Sequence, residues 1–202
     1  MTLVDEILIK RLGRVDYAPT LERMRAFSSA RTEETPDELW LLEHSPVYTL
    51  GQAAAHAGVA GGIPLIKSDR GGDITYHGPG QVVLYALIDL ARRSIKVKAF
   101  VWLLEQAVID VLGGRGERRP GAPGVYVDGA KIAALGIRVR QGRAYHGLSL
   151  NVDMDLSPFR AIDPCGYPGL AVTQTRSIGI DDDAGAMGEK LARHLIGRLD
   201  NA

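Results

Sequence analysis

The spacing of apolar residues along the chain predicts three helices that frame a strand-rich middle. Apolar side chains recur at helical spacing over 17–31, at about 99–112 and at about 185–199, as expected for helices with one buried face. Gly113-Gly114 follows the second segment and is a good helix stop.

Short apolar runs separated by turn residues predict the strands, which we place at 5–12, 39–42, 63–66, 81–90, 125–127, 131–140 and 144–153. The strand at 39–42 runs on into 43–46 and 47–51. Asp128-Gly129 is a strong hairpin signal, and Gln141-Gly142 predicts a second turn. Loops are predicted where Gly, Ala or Pro are dense, at 51–62, 113–124 and 154–172.

This order of elements predicts an α/β fold of the α+β kind, with a mixed sheet flanked by helices. The 202 residues contain no internal repeat and no linker, and a chain of this length suits one domain. We therefore expect a single domain over 1–202.

Composition narrows the class of function. Lys+Arg and Asp+Glu both number 24, so no overall field attracts nucleic acid or an anionic membrane, and neither is an expected partner. The N-terminus lacks the basic and apolar regions of a signal peptide, and no apolar run is long enough to span a bilayer. The single cysteine excludes an internal disulfide framework. Together these features predict a cytoplasmic protein, in which a lone thiol stays reduced.

A local basic cluster stands at Arg92, Arg93, Lys96 and Lys98. Such a run is typical of solvated surface, and the alternative is a docking site for an acidic partner.

The glycine-rich segment 70–80 is the first candidate for chemistry. Its four glycines allow backbone conformations closed to other residues and can expose N–H groups to a ligand. The segment matches neither the phosphate-binding loop nor the dinucleotide fingerprint, so it implies no nucleotide. The alternative is a tight connection between two strands. The presence of polar and aromatic residues in the same turn favours a ligand-binding role, namely Arg70, Thr75, Tyr76 and His77.

Lys131 is the second candidate. On an unbroken strand it shares its face with Ala133, Leu135, Ile137 and Val139. A desolvated ammonium gives up its proton more readily than one in water, so such a lysine can serve as a base near neutral pH. The alternatives are an amine that reaches water at the start of the strand, or a bulge at Gly136 that breaks the alternation.

Cys165 is the third candidate, in Asp163-Pro-Cys-Gly-Tyr-Pro-Gly169. A lone cysteine is often an inert core residue, but this one lies in a loop without apolar periodicity. Lys131, His77 or His146 could lower the pKa of its thiol from about 8.5 and yield a nucleophilic thiolate. A metal site built from Cys165 and histidines lacks ligand spacing.

His146 and Asn151 flank the apolar strand of a fourth segment, Ala144–Val152. Taken alone, they are typical of hydrogen-bonded structural residues.

Together these segments resemble the octanoyltransferase family of lipoate biosynthesis, also called lipoyl(octanoyl) transferase or lipoate-protein ligase B. The matching stretches are Leu42–Gly51, Arg70–Gln81, Gly124–Gly136, His146–Val152 and Pro164–Gly166 followed by Val172-Thr173. They come in the family's order and span about 39–173.

The resemblance implies a fold like the catalytic domain of biotin and lipoate protein ligases. It implies no cofactor, octanoyl-acyl-carrier-protein as donor, and as acceptor a lysine in lipoyl domains of 2-oxoacid dehydrogenase complexes or of the glycine cleavage H protein. The family's acyl-thioester cysteine falls on Cys165 and its essential lysine on Lys131. Its substrate-binding segments fall on Arg70, Gly71, Gly72, Asp73, Ile74, Thr75, Tyr76, His77, Ala134, Leu135, Gly136, Gly147, Leu148 and Ser149.

Three alternatives remain open. An ATP-dependent lipoate or biotin ligase shares this fold but makes an acyl-adenylate and needs no cysteine. A cysteine hydrolase passes the acyl group to water. A non-enzymatic acyl or lipoyl-domain binding protein forms no covalent intermediate.

Overall fold

The computed structural model describes residues 6–54, 62–162 and 169–202. Its helices are α1 (Tyr17–Ala30), α2 (Val97–Val111) and α3 (Ala184–Leu199). Its strands are β1 (Ile7–Val15), β2 (Asp37–His44), β3 (Val47–Leu50), β4 (Leu65–Lys67), β5 (Ile74–His77), β6 (Gln81–Leu87), β7 (Gly124–Val127), β8 (Ala130–Arg140) and β9 (Arg143–Asn151). All three predicted helices are confirmed to within two residues at each end.

The strands form two sheets. The larger has the order β1-β2-β6-β9-β8-β7, and the smaller has the order β4-β3-β5. Pairing is antiparallel except for β1 with β2 and β3 with β4. The predicted mixed α/β architecture is therefore confirmed.

One strand was missed. Ile74–His77 lies inside the glycine-rich segment, for which sequence offered only a connection or a ligand loop, yet it pairs with β3 as β5. A four-residue strand has little periodicity of its own, and this one depends on partner residues that lie 24 to 30 positions earlier in the chain. Two short 3-10 helices were missed as well: Ser157–Ala161 lies inside the loop predicted at 154–172, and Thr175–Ile178 lies between that loop and the third helix.

Both turns that flank β8 adopt the geometry that their residues predict. Asp128 and Gly129 have φ of 48° and 83°, and Gln141 and Gly142 have φ of 50° and 76°. Two successive positive φ values characterise the tight hairpin turn that matches the twist of paired strands. These turns hold β7, β8 and β9 together as a meander.

The two faces of the large sheet are covered differently. α2 and α3 pack on one face over an apolar core that includes Leu84, Phe100 and Leu195. α1 packs on the other face through Leu21 and Met24. The small sheet has its own cluster, with the 3-10 helix at Ser157–Ala161, and the face that carries α1 is the one that holds the candidate site. Among the described residues, no helix combines the length and apolarity needed to cross a bilayer.

Candidate functional site

A cleft lies on the α1 face of the large sheet, beside β5 of the small sheet. Its free space is about 470 Å³ when the open solvent at its mouth is included. Its lining combines residues from α1, the glycine-rich segment, β6, β8 and β9, namely Tyr17, Arg70, Gly72, Asp73, Ile74, Thr75, His77, Val83, Tyr85, Ala134, Leu135, Gly136, His146, Gly147, Leu148 and Ser149. The structure thus brings together all the predicted substrate-binding residues except Gly71 and Tyr76.

Gly71 and Tyr76 have other surroundings. The Gly71 N–H donates to the Ile137 carbonyl oxygen at 3.0 Å, which attaches the glycine-rich segment to β8. The Tyr76 ring packs against Tyr48 and Phe159, with ring centroids 5.5 Å away in each case. Both residues support the walls of the cleft and do not line it.

The sheet side of the cleft is a trough of small residues, which we define as Ala134, Gly136, Gly147 and Ser149. Register pairs these residues across β8, β9 and β6 in two rows, Ala134–Ser149–Val83 and Gly136–Gly147–Tyr85. Each row runs from small residues to a large one on β6. A Cβ added at Gly136 would lie 2.7 Å from the Gly71 carbonyl oxygen, so a side chain there would displace the glycine-rich segment.

Arg70 holds the base of the cleft. Its guanidinium donates to the Thr49 side chain at 3.0 Å, to the Thr49 carbonyl at 2.6 Å and to the Gly71 carbonyl at 2.9 Å. The side chain is buried, and these bonds tie β3 to the glycine-rich turn.

Aromatic rings close the inner end of the cleft, and sequence reasoning did not select them. Tyr17 belonged to a predicted helix stripe and Tyr85 to a predicted buried strand, and nothing local distinguished them from core residues. The Tyr17 hydroxyl is 2.6 Å from the Ser68 hydroxyl. The Tyr17 ring stacks on His77 at 6.1 Å between centroids.

Tyr85 is fixed by His44. The His44 Nδ1 lies 2.8 Å from the Val15 carbonyl, which only accepts hydrogen bonds, so Nδ1 carries the proton. The bare Nε2 then accepts from the Tyr85 hydroxyl at 2.7 Å. Burial lowers the pKa of His44 to about 4 and that of His77 to about 3, and it raises the pKa of Tyr85 well above its ordinary value. These rings are therefore uncharged at neutral pH.

His146 has an unusual backbone for a strand residue, with φ of 61°. Neighbouring side chains on a strand normally point to opposite faces, but here the rings of Tyr145 and His146 lie 5.0 Å apart and nearly parallel. The positive φ thereby places the His146 ring in the cleft lining.

Asp69 anchors these two rings and was also missed from sequence. Its carboxylate accepts from the Tyr145 hydroxyl at 2.7 Å and lies 2.8 Å from His146 Nε2. Burial would raise the pKa of Asp69, but the hydrogen bonds from His146 and Tyr145 outweigh it, and the pKa lies well below its ordinary value. Burial lowers the pKa of His146 although Asp69 opposes this. The pair is therefore an ionised carboxylate on Asp69 beside an uncharged imidazole on His146.

The position of Lys131 corrects a prediction. Lys131 pairs with Tyr126, and Ala133 pairs with Val125, so Ile132 is an extra residue in β8. Paired residues share a face and Tyr126 and Val125 are neighbours, so Lys131 and Ala133 lie on opposite faces. The expectation that Lys131 shares the face of Ala133, Leu135, Ile137 and Val139 is wrong, because the bulge at Ile132 reverses the alternation. The bulge is also not at Gly136.

The bulge places the Lys131 side chain, which is only 4% exposed, next to the trough. Its ammonium donates to the Pro123 carbonyl at 3.0 Å and lies 5.4 Å from the centre of the Tyr126 ring. It lines a small cavity with Thr75 and Ser149, both of which also line the cleft.

Chain segments on both sides of 163–168 reach this lysine. Phe159 and Val172 line the same small cavity. The Lys131 N–H donates to the Ala171 carbonyl at 2.8 Å, and the Thr173 N–H donates to the Lys131 carbonyl at 2.9 Å. Cys165 itself lies outside the described residues.

Asn151 is also part of this end of the site. It lines the small cavity, accepts from the Gln81 side-chain amide at 2.9 Å and donates to the Thr173 carbonyl at 2.9 Å. Among the residues described, no group of three or more His, Cys, Asp or Glu side chains could hold a metal ion.

Comparison with known proteins gives a consistent family assignment. The family described as "Lipoyl protein ligase A/B catalytic domain" matches residues 16–189. The octanoyltransferase of Aromatoleum aromaticum is 62% identical over 194 residues, which are 94% of this chain and 84% of that protein. The octanoyltransferase of Dechloromonas aromatica is 60% identical over 198 residues, which are 96% and 97% of the two chains.

Among solved structures, a putative lipoate protein ligase from T. acidophilum with bound lipoic acid is similar, with a TM-score of 0.76. The match covers 96% of this chain and 86% of that one at 17% sequence identity. At this identity the likeness concerns the fold alone.

Proposed function

This chain belongs to the octanoyltransferase family of acyltransferases, and we propose that it transfers an octanoyl group from octanoyl-acyl-carrier-protein to a lysine of a lipoyl domain. The acceptors are the lipoyl domains of 2-oxoacid dehydrogenase complexes or the glycine cleavage H protein. The names of the relatives support the acyl group, and the family description supports a place in protein lipoylation.

We propose a two-step mechanism through Cys165. The Cys165 thiolate attacks the thioester carbonyl of the donor, the carbon–sulfur bond to the carrier breaks, and the carrier leaves as its thiol. Octanoyl is then held on Cys165 as a thioester. The amine of the acceptor lysine attacks this carbonyl, an amide forms, and the Cys165 thiol is restored. An amide is more stable than a thioester, so the sequence of steps needs no ATP and no cofactor.

Lys131 is the acid and base of this proposal. The observation that carries the proposal is its buried ammonium at the side of the trough, with the segments before and after 163–168 packed around it. A cation near the cysteine favours the thiolate, and a neutral amine at the same position accepts the proton that the acceptor lysine loses.

The developing oxyanion needs hydrogen-bond donors, each typically worth roughly 3 kcal/mol. The Gly71 N–H is already engaged with Ile137. We therefore assign this role to other backbone amides of the glycine-rich turns.

The cleft suits an alkyl chain. The Tyr17 and Tyr85 hydroxyls are hydrogen-bonded within the protein, and the neighbouring imidazoles are uncharged, so the rings present carbon surface. Each buried CH₂ contributes about 0.8 kcal/mol, which can distinguish octanoyl from shorter groups. We also infer that residues 1–202 act as one catalytic domain and that the protein works in the cytoplasm, where a lone thiol stays reduced.

Intact-protein mass spectrometry after mixing with octanoyl-acyl-carrier-protein, without ATP, tests this proposal. We expect a gain of one octanoyl group that hydroxylamine removes, that Cys165→Ala lacks, and that disappears when a lipoyl domain is added and becomes octanoylated. Lys131→Met should slow formation of the adduct by about tenfold or more, whereas Lys98→Met, a matched change at an exposed position of α2, should not.

The other outcomes identify the alternatives. No adduct together with strict ATP dependence, and activity that survives in Cys165→Ala, would establish a ligase. Free octanoate in the presence of acceptor would establish a hydrolase. Acceptor binding without transfer and without any adduct would establish a binding protein.

A further inference from the structure

We propose that Val83, Tyr85 and Tyr17 form a rigid stop that limits the length of the acyl chain in the cleft. This inference rests on the proposed function and adds to it the residues that select among straight-chain acyl groups. Of the three, Val83 is the position where a change in side-chain size should alter the preferred length with the least disturbance.

The shape of the trough indicates a stop. On β8 and β9 its floor is made of small residues, and both cross-strand rows then meet larger side chains on β6, at Val83 and Tyr85. Neighbouring strands lie about 4.8 Å apart, so a chain that crosses the trough from β8 meets β6 after roughly 10 Å. The floor therefore ends at a wall.

The exposure of the lining residues shows which end of the cleft is open. Ala134 and Gly136 on β8 are partly exposed and Gly72 is exposed, whereas Val83 and Tyr85 are only 1% and 4% exposed. The cleft is thus open to solvent above β8 and closed, or blind, at β6. An acyl chain held near Lys131, which also lies on β8, extends towards the blind end.

Buried hydrogen bonds hold the rings of the wall in place. Tyr85 donates its single hydroxyl proton to His44, whose other ring nitrogen is held by the Val15 carbonyl. Tyr17 is held by Ser68 and by stacking on His77. Rotating either ring out of the path of a longer chain would break a buried hydrogen bond, which is costly.

Val83 is a suitable position for changing the length of the acyl chain that the cleft accepts. It faces the cleft, and its neighbour Val82 belongs to the core on the opposite face of the same strand. The two valines are similarly buried, at 1% and 3% exposed. Val82 is therefore a matched control for loss of the same two methyl groups.

The experiment compares kcat/KM for acyl-carrier-protein thioesters of six, eight, ten and twelve carbons. Each additional methylene that finds apolar surroundings is worth about fourfold. We expect Val83→Ala to raise the ratio of decanoyl to octanoyl transfer by roughly tenfold. Val83→Leu should shift preference in the opposite direction, towards hexanoyl. Val82→Ala should lower stability without changing the ratios.

Two results would overturn the proposal of a stop. One is an unchanged length profile in both Val83 variants, and the other is an equal shift in Val82→Ala, which would indicate general loosening. Thermal unfolding of each variant establishes that folded protein is compared. If the wild-type protein transfers no acyl group from any of these donors, the proposed function fails, whereas wild-type transfer with an unaltered profile in the variants rejects the stop alone.

Discussion

β2 begins at Asp37 and ends at His44, and both side chains are fully buried. At the Asp37 end, three guanidinium groups converge on one carboxylate, from Arg31 at 2.6 Å, Arg92 at 2.8 Å and Arg93 at 2.6 Å. At the His44 end, neutral rings meet instead: the Tyr85 hydroxyl donates to His44, and the His44 ring lies edge-on to Tyr17 and His77, at 5.1 and 5.7 Å between ring centroids.

The contrast indicates what each end does. A buried carboxylate is tolerated when opposite charges surround it. The Asp37 cluster attaches β2 to the turn before α2 and to the end of α1, and none of its residues lines the cleft of the candidate site. The His44 cluster borders the cleft, and keeping it uncharged preserves an apolar lining for an alkyl chain. The first cluster should therefore affect stability alone, and the second should affect both stability and substrate selection.

The same contrast explains what the residues of the basic cluster do, namely Arg92, Arg93, Lys96 and Lys98. The two arginines are not simply solvated surface, because both bind the buried Asp37. Lys96 and Lys98 are exposed. Side chains that look alike in a run of charge thus have different roles once the chain folds.

The largest expected effect is on the charged cluster. Asp37→Ala leaves three arginines around a site without an anion, and breaking a buried ion pair from one side typically costs about 3–5 kcal/mol. Urea unfolding should show this loss, while the folded fraction retains the wild-type chain-length profile. Asp181→Ala, which removes an exposed partner of Arg176, is the control and should change little. A stable Asp37→Ala protein would mean that the cluster is dispensable.

The next effect is a pH dependence of stability that comes from the neutral cluster. In the unfolded chain these histidines take up protons near pH 6.5, but in the folded protein burial holds the pKa of His44 at about 4 and that of His77 at about 3. Between these values the unfolded state binds more protons, so stability falls as pH falls from 6.5 towards 4, by about 1.4 kcal/mol per pH unit for each histidine.

Urea unfolding at pH 7, 6 and 5 checks this dependence. His44→Asn should show a shallower dependence than the wild-type protein because one of the contributing groups is gone. Equal stability of the wild-type protein at pH 7 and pH 5 would contradict the inference that these rings are neutral when folded.

A smaller effect is expected when only one hydroxyl is removed. Tyr85→Phe keeps the ring but leaves the buried His44 Nε2 without its donor, which typically costs about 1–3 kcal/mol. With the ring held less firmly, decanoyl transfer should rise relative to octanoyl transfer, by less than in Val83→Ala. The measurements are thermal unfolding and the acyl-chain competition, and a change in stability with no change in the profile would separate the hydrogen bond from the stop.

The sequence by itself determined the helices, most of the strands and both tight turns, because helical periodicity, apolar runs and Asp-Gly or Gln-Gly pairs act through neighbouring residues. The motifs that carry the family resemblance are likewise contiguous stretches, and all but two of the predicted substrate-binding residues line one cleft. These segments supply backbone and small residues, whose importance is visible in their unusual local composition.

Only the tertiary structure decided the remaining features, because each depends on residues that are distant in the chain. β5 forms by pairing with β3, and the bulge that turns Lys131 away from the apolar face is visible only in its register with β7. Tyr17, Val83 and Tyr85 look like ordinary core residues until α1 and β6 meet at the end of the trough. Asp69 gains its role only where Tyr145 and His146 approach it, about 76 positions later in the chain.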